Sequence, residues 1–286
     1  MAKTDKTPSS EAHSGWGLLW VLIFFLAFSG NLIAGVLVAP TVVFISDKNR
    51  TSRLEVNNPG TTPQEVTVSF AYGLPVSDSF GNVSVVLQDS NITDPRSAVD
   101  WVKAFPRQIV IPPNGTQVIR FLASPPKDLP AAEYWARIVV RSKEGETTIP
   151  TSTEEGAITT KLNMIMQTAI MLKYRTGELS TEVALTKAEA QQTDSSVYVM
   201  VDLQNKGNAS YVGVLTARLL DENKNEIARQ QTDVAVYREL KRKIEFPTKT
   251  AGHYKIEVAV STEGRTDIAP DDIIPGNKVF STVDVQ

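Results

Sequence analysis

Hydrophobic and polar residues alternate with a period of two along much of the chain, for example in QEVTVSFAYG and HYKIEVAVS. This alternation places apolar side chains on one face of an extended strand and polar side chains on the other. The runs are short and are separated by turns rich in Gly, Pro and Asn, and no convincing helical period occurs beyond the N-terminal segment. Short strands at near-regular spacing are typical of antiparallel β-sandwiches. The pattern therefore predicts an all-β fold of immunoglobulin-like sandwiches.

The strands fall into two sets, and the break between them lies near Gly177. A chain of 286 residues is long enough for two domains of ordinary size. We therefore predict two immunoglobulin-like domains, the first spanning 36–176 and the second spanning 178–286. No sequence repeat relates the two halves, so a shared fold class is not evidence of duplication.

The N-terminal segment 1–29 has the composition of an export signal. Lys3 and Lys6 precede the apolar run WGLLWVLIFFLAF, and Ala27 and Ser29 supply the small residues that a signal peptidase reads. The alternative is an uncleaved anchor, because the sequence stays mostly apolar as far as Ala39, which is long enough to span a bilayer. In both cases the rest of the chain is expected to be exported, and it meets a membrane only if the segment is retained.

The stretch LNMIMQTAIMLKYR, residues 162–175, is predicted to be a strand with an unusual first half. Alternation places Leu162, Met164 and Met166 on one face, followed by Ile170. Methionine is flexible and polarizable, so it adapts to different partners. The stripe is therefore either an exposed edge that binds a partner or an apolar edge covered by the chain itself.

Composition excludes several classes of function. The formal net charge of −3 provides no strong positive field for nucleic acid. The chain has no cysteine and two histidines, one of them in the N-terminal segment, so zinc–thiolate sites and cysteine nucleophiles are excluded. The acidic loop TDIAPDDIIPGN matches no calcium-loop spacing. We therefore predict a protein that is not an enzyme and that has no cofactor and no metal site.

Four segments together resemble the N-terminal domain of the periplasmic pilus chaperones of chaperone–usher systems. They are PTVVFISDKNRTSRLEVNNPG, FPRQIVIPPNGTQVIRF, LPAAEYWARIVV and LNMIMQTAIMLKYR, in the order and spacing of that family, and they cover about residues 36–176. The resemblance implies that the last strand of the first domain is an edge. That edge would complete the sheet of an unfinished subunit by strand addition.

The resemblance also assigns roles to particular positions. Leu162, Met164 and Met166 match the residues that donate side chains to the subunit, and Ile170 continues their face. Arg175 matches an arginine that braces the two domains, and Glu133 matches its acidic partner. The third member of the family's brace, an aspartate of the second domain, has no evident counterpart in the sequence.

Two positions depart from the family pattern. The family holds the subunit's C-terminal carboxylate with an arginine and a lysine. Here the arginine position is Thr41, or Val42 if the Pro-Thr pair is aligned instead, and the lysine position is Met171. None of these residues binds a carboxylate as a cation does, so the expected client does not present a free carboxylate in the usual cleft.

The expected function is therefore that of a non-enzymatic periplasmic, chaperone-like protein. It binds a pilin-like or other exported subunit through its edge strand, with an outer-membrane usher as a possible further partner in the assembly of pili or other surface structures. The alternative is a structural or adhesive β-sandwich protein of the cell envelope without chaperone activity, since fold does not fix function.

Overall fold

The computed structural model describes residues 35–145, 164–248 and 252–285. Nearly all of the regular structure in these ranges is β-strand, which confirms the predicted all-β class. Two short 3-10 helices, Val99–Trp101 and Pro270–Asp272, are the exceptions among the described residues. None of the described helices has the length and apolar character that a membrane span needs. The predicted segment 1–29 and Leu162 lie outside the described residues.

Gly35–Gln286 forms one compact unit that contains two sandwiches. The first half supplies eleven strands: β1 (Leu37–Ala39), β2 (Val42–Ser46), β3 (Thr51–Asn57), β4 (Gln64–Ala71), β5 (Pro75–Ser77), β6 (Val83–Val85), β7 (Val102–Phe105), β8 (Gln108–Ile111), β9 (Thr116–Ala123), β10 (Ala132–Glu144) and β11 (Ile165–Thr176). One sheet has the order β1-β3-β9-β7, and the facing sheet has the order β2-β11-β10-β4-β8. Strands β5 and β6 pair separately as a hairpin.

Apolar residues of the two facing sheets form a single core in the first sandwich. Alternate residues of β11, namely Ile170, Leu172 and Tyr174, point into this core, and Leu54 and Phe121 meet them from the other sheet. The period-two interpretation of this strand is therefore confirmed for its second half.

The second half supplies seven strands: β12 (Val183–Gln192), β13 (Ser196–Asn205), β14 (Tyr211–Leu220), β15 (Glu226–Val236), β16 (Glu239–Pro247), β17 (Lys255–Ser261) and β18 (Val279–Asp284). The sheet β12-β13-β16 packs on the sheet β15-β14-β17-β18 around a separate apolar core. Two cores, one on each side of Gly177, fit the predicted division into 36–176 and 178–286, whose exact bounds stay a prediction.

Strand β11 has different neighbours along its length. Antiparallel pairing with β10 runs from Ile165 to Thr176. On its other side β11 pairs with β2, in parallel, only from Met171 to Arg175. Within the described residues, Ile165–Ile170 therefore forms a sheet edge, and the second half of the strand is enclosed.

Candidate functional site

The free edge of β11 carries the described part of the predicted apolar stripe. Met164 is 56% exposed and Ile165 is 67% exposed, and Met166 is also at the surface. Ile170, the fourth predicted residue, is buried in the first core. Within the described residues, Ile165 and Met166 on this edge, with Met164 directly before it, therefore have no strand paired on that side, which is the arrangement that strand addition uses.

The side chain of Met166 lies close to Gly35. Gly35 has a φ of +98°, and a Cβ added to it would overlap Met166 Sδ. Only glycine combines this backbone conformation with so close an approach. Gly35 therefore covers one side of Met166 but does not cover Met164 or Ile165.

The two positions that depart from the family pattern lie where the free edge ends. Thr41 is exposed and directly precedes β2. Met171 is opposite Val42 at the start of the parallel pairing, and it is buried in a cluster with Tyr72, Trp135 and Tyr237. Apolar and aromatic side chains therefore fill the space around Met171.

Arg137 on β10 is directly opposite Met171 on β11. Its Nε atom donates a hydrogen bond to the Gly73 carbonyl oxygen at 2.9 Å, which turns the guanidinium toward the β4 side. Burial lowers the pKa of Arg137, with a smaller opposing effect from Tyr237. Arg137 was not singled out from the sequence, because register across two strands is needed to place it.

Glu133 and Arg175 meet at the junction of the two sandwiches. Arg175 Nε donates to Glu133 Oε2 at 2.9 Å, and Arg175 Nη1 donates to the Asp272 carbonyl oxygen at 2.8 Å. The guanidinium also lies over the Phe44 ring, with its carbon 4.4 Å from the ring centroid. Arg175 thus contacts β10 of the first sandwich and the Pro270–Asp272 turn of the second. Its role as a brace between the halves stays a proposal.

Lys173 is a further member of this network that the sequence did not reveal. The side chains of Lys173 and Glu133 are 1% and 0% exposed, and Lys173 Nζ lies 3.5 Å from Glu133 Oε1. Ser210, from the second sandwich, donates its hydroxyl to Glu133 Oε1 and accepts a hydrogen bond from Lys173 Nζ at 2.6 Å. Trp135 Nε1 donates to the same carboxylate oxygen at 2.8 Å.

The second sandwich therefore contributes the Ser210 hydroxyl and the Asp272 backbone carbonyl to this network. Alternation alone assigned Lys173 to a polar face of β11. In the structure this face is not solvated, because Ser210 and Tyr237 of the second sandwich pack on it. Lys173 lies between a carboxylate and an aromatic ring only because the fold brings them together, so the sequence alone does not indicate this environment.

The ionisation of the network follows from its contacts. Burial by itself raises the pKa of Glu133, but Lys173 and Arg175, with hydrogen bonds from Ser210 and Trp135, outweigh it and lower the pKa to about 2. Burial lowers the pKa of Lys173, and Glu133 partly opposes this effect. The carboxylate is thus charged in the folded protein at all but strongly acid pH.

Acid should destabilise the fold through this carboxylate. The pKa of Glu133 is lowered from 4.5 to about 2, so its contribution is fully present above pH 4.5 and is lost as the pH falls through 2. A shift of this size corresponds to about 3 kcal/mol. Denaturant unfolding between pH 6 and pH 2 should show this loss as a slope of the free energy of unfolding against pH, and Glu222→Gln, which removes an exposed carboxylate, should retain that slope. If the free energy of unfolding of Glu133→Gln showed the same slope against pH, the attribution of that slope to Glu133 would be contradicted.

Other contacts join the sandwiches on the side of the β5–β6 hairpin. Ser77 accepts a hydrogen bond from the backbone N–H of Lys241 on β16 at 3.0 Å. Arg238 pairs with Asp94 at 2.6 Å, although an exposed pair of this kind contributes little to stability. The hairpin therefore covers part of the outer edge of β16, which protects that edge from pairing with another chain.

Among the described residues, no group of three or more His, Cys, Asp or Glu side chains is placed to hold a metal ion. Asp267 of the acidic loop forms an ion pair with Arg265 instead.

Comparison with known proteins gives structural likenesses only. No family model and no curated protein matches the chain. A crystal structure of the YadV chaperone aligns over 87% of this chain and 98% of its own, with 13% identity and a TM-score of 0.45. A CsuC–CsuE chaperone–tip subunit complex from the archaic chaperone–usher Csu pili of Acinetobacter baumannii aligns over 88% of this chain and 100% of the matched chain, with 13% identity and a TM-score of 0.42. A Salmonella enterica SafA pilin–SafB chaperone complex aligns over 80% of this chain and 90% of the matched chain, with 15% identity and a TM-score of 0.39.

Many of the similar structures are chaperones of chaperone–usher pilus systems. The assignment of two sandwiches rests on the strand pairing described above and is independent of these likenesses.

Proposed function

We propose that the chain is a divergent member of the pilus chaperone family, which binds an exported subunit by adding its β11 edge to that subunit's sheet. The observation that carries the proposal is the divided pairing of β11, whose first half pairs only with β10 within the described residues. A free edge with exposed apolar side chains is a liability that proteins normally cover. Its presence here is explained if a partner strand covers it.

Met164 and Met166 are the proposed donors to the client, together with Leu162, which precedes the described part of the strand. Met164 and Met166 are separated by Ile165, which belongs to the opposite face, as donor positions must be. A client strand on this edge would be collinear with β2, because both occupy the same side of β11. It would therefore end near Thr41 and Met171. The uncharged character of both residues supports a client that is held without a cationic anchor.

Chaperone activity can be measured directly. The purified protein should keep a pilin-like subunit that lacks its last strand in solution at equimolar ratio, because the β11 edge supplies the missing backbone partners and covers the apolar groove. Light scattering during dilution of the subunit from denaturant measures this protection. A folded, soluble protein that leaves the scattering unchanged would overturn the chaperone proposal.

The contact of Gly35 with Met166 favours a second candidate, a structural or adhesive envelope protein. In that case the chain's own residues would complete the cover of the stripe, and no client would be needed. A charge introduced on the stripe separates the two candidates, as set out in the Discussion.

A further inference from the structure

The outer face of the β1-β3-β9-β7 sheet, on the side away from the core, carries cations side by side. Arg53 on β3 is directly opposite Arg120 on β9, and Arg120 is directly opposite Phe105 on β7. Lys103, two residues before Phe105, is opposite Leu122. All of these side chains are exposed.

Like charges directly opposite each other on neighbouring strands destabilise a sheet. Within residues 35–145, 164–248 and 252–285, no acidic side chain forms an ion pair with Arg53, Arg120 or Lys103. The acidic residue on this face, Glu55, is opposite Val118. Glu55 offsets part of the charge of the three cations, and the face keeps a net positive charge, although the whole chain carries a formal charge of −3.

Large apolar side chains surround these cations. Leu37 on β1 and Phe105 on β7 are 57% and 56% exposed, and Val118 and Leu122 on β9 are also exposed. Isolated exposed apolar residues need no explanation. Here, however, four of them share one sheet face with three cations. This combination suits the interface of a bilayer, where apolar groups enter the headgroup region and cations contact phosphate.

We propose that this outer face, named here the basic face (Leu37, Arg53, Lys103, Phe105, Val118, Arg120 and Leu122), docks on an anionic phospholipid surface. The basic face lies on the sheet opposite to the one that contains β11. Docking on lipid would therefore leave the β11 edge open to a client, and it is independent of the chaperone proposal.

A single fluorescent label can test the proposal on the full chain, because the sequence has no cysteine. Val118→Cys carries an environment-sensitive NBD group at the centre of the basic face. Ile227→Cys on β15 is the matched control, since Ile227 is likewise an exposed apolar strand residue but belongs to the second sandwich. Emission is recorded with vesicles of phosphatidylcholine alone and with vesicles that also contain phosphatidylglycerol.

We expect the label at position 118 to shift to the blue only with phosphatidylglycerol, and the label at position 227 to stay unchanged. Arg53→Gln combined with Arg120→Gln should weaken vesicle binding roughly thirtyfold, from about 1 kcal/mol for each basic residue near an anionic surface. High salt should weaken the binding of the unaltered face in the same direction. Loss of the opposed arginines is expected to preserve the fold, which circular dichroism checks.

Four results would overturn the proposal. A shift of equal size with phosphatidylcholine alone would mean that charge plays no part. No shift at position 118, or an equal shift at position 227, would mean that the basic face does not enter the bilayer, even if another segment tethers the protein. A response to soluble polyglutamate without a response to vesicles would indicate an acidic protein partner instead.

Discussion

Met164→Asp should abolish client binding and leave the monomer folded. The side chain of Met164 is more than half exposed at the free edge of β11, so a carboxylate there remains hydrated in the isolated protein. In an apolar client groove the same carboxylate would have no partner, and several kcal/mol of unfavourable burial corresponds to at least about a hundredfold loss of affinity. Co-purification of subunits with the tagged protein measures binding, and circular dichroism measures folding.

Two comparisons make this result specific. Ile227→Asp places the same charge on an exposed strand of the second sandwich and should leave co-purification unchanged. Amidation of the client's C-terminus should also leave affinity unchanged, because Thr41 and Met171 carry no charge. A Met164→Asp protein that unfolds would show that the stripe belongs to the core and would favour the structural alternative. A strong loss of affinity on amidation would instead point to a cation such as Arg137.

Glu133→Gln should cause the largest loss of stability of any single change at the junction. The amide keeps the shape of the carboxylate but leaves Lys173 buried without its counter-charge, and breaking a buried pair in this way costs about 3–5 kcal/mol. For a protein of this size the melting temperature should fall by about 10 °C. Calorimetry or thermal circular dichroism measures the change.

A double variant distinguishes lost charge pairing from lost packing. Glu133→Gln combined with Lys173→Met removes both charges, and we expect it to recover most of the lost stability. Arg175→Ala should cost less than Glu133→Gln, because Lys173 still pairs with the carboxylate, and it should loosen the angle between the sandwiches in solution scattering. Unchanged melting in Glu133→Gln would show that the network contributes nothing to stability.

The sequence predicts most of the fold because strand periodicity is local. The alternation of Ile170, Leu172 and Tyr174 gives the core face of β11 directly. The alternation cannot predict the environment of the opposite face of β11, because that environment depends on which other segment packs against it. Lys173 looks like a solvated residue by alternation and is buried because the second sandwich meets that face.

Prediction of the candidate site from the sequence is limited for the same reason, because the site depends on contacts between distant segments. The free edge exists because β2 begins only at Val42, and the neighbours of Met171 come from separate parts of the chain. The family resemblance supplied Glu133 and Arg175 by position. Ser210 carries no sequence signal, since a lone serine at the start of a strand is common.

The parallel pairing of β2 with β11 also constrains the order of folding. Val42 is synthesised early, yet its partner Met171 comes much later, after all the other strands of the first sandwich. Closing the long loop between these strands costs conformational entropy before their pairing adds any stabilising contact. The pairing therefore forms slowly. Until β11 arrives, both β2 and β10 have open edges, and the nascent protein is exposed to the same uncontrolled strand pairing that a chaperone of this kind would prevent in its client.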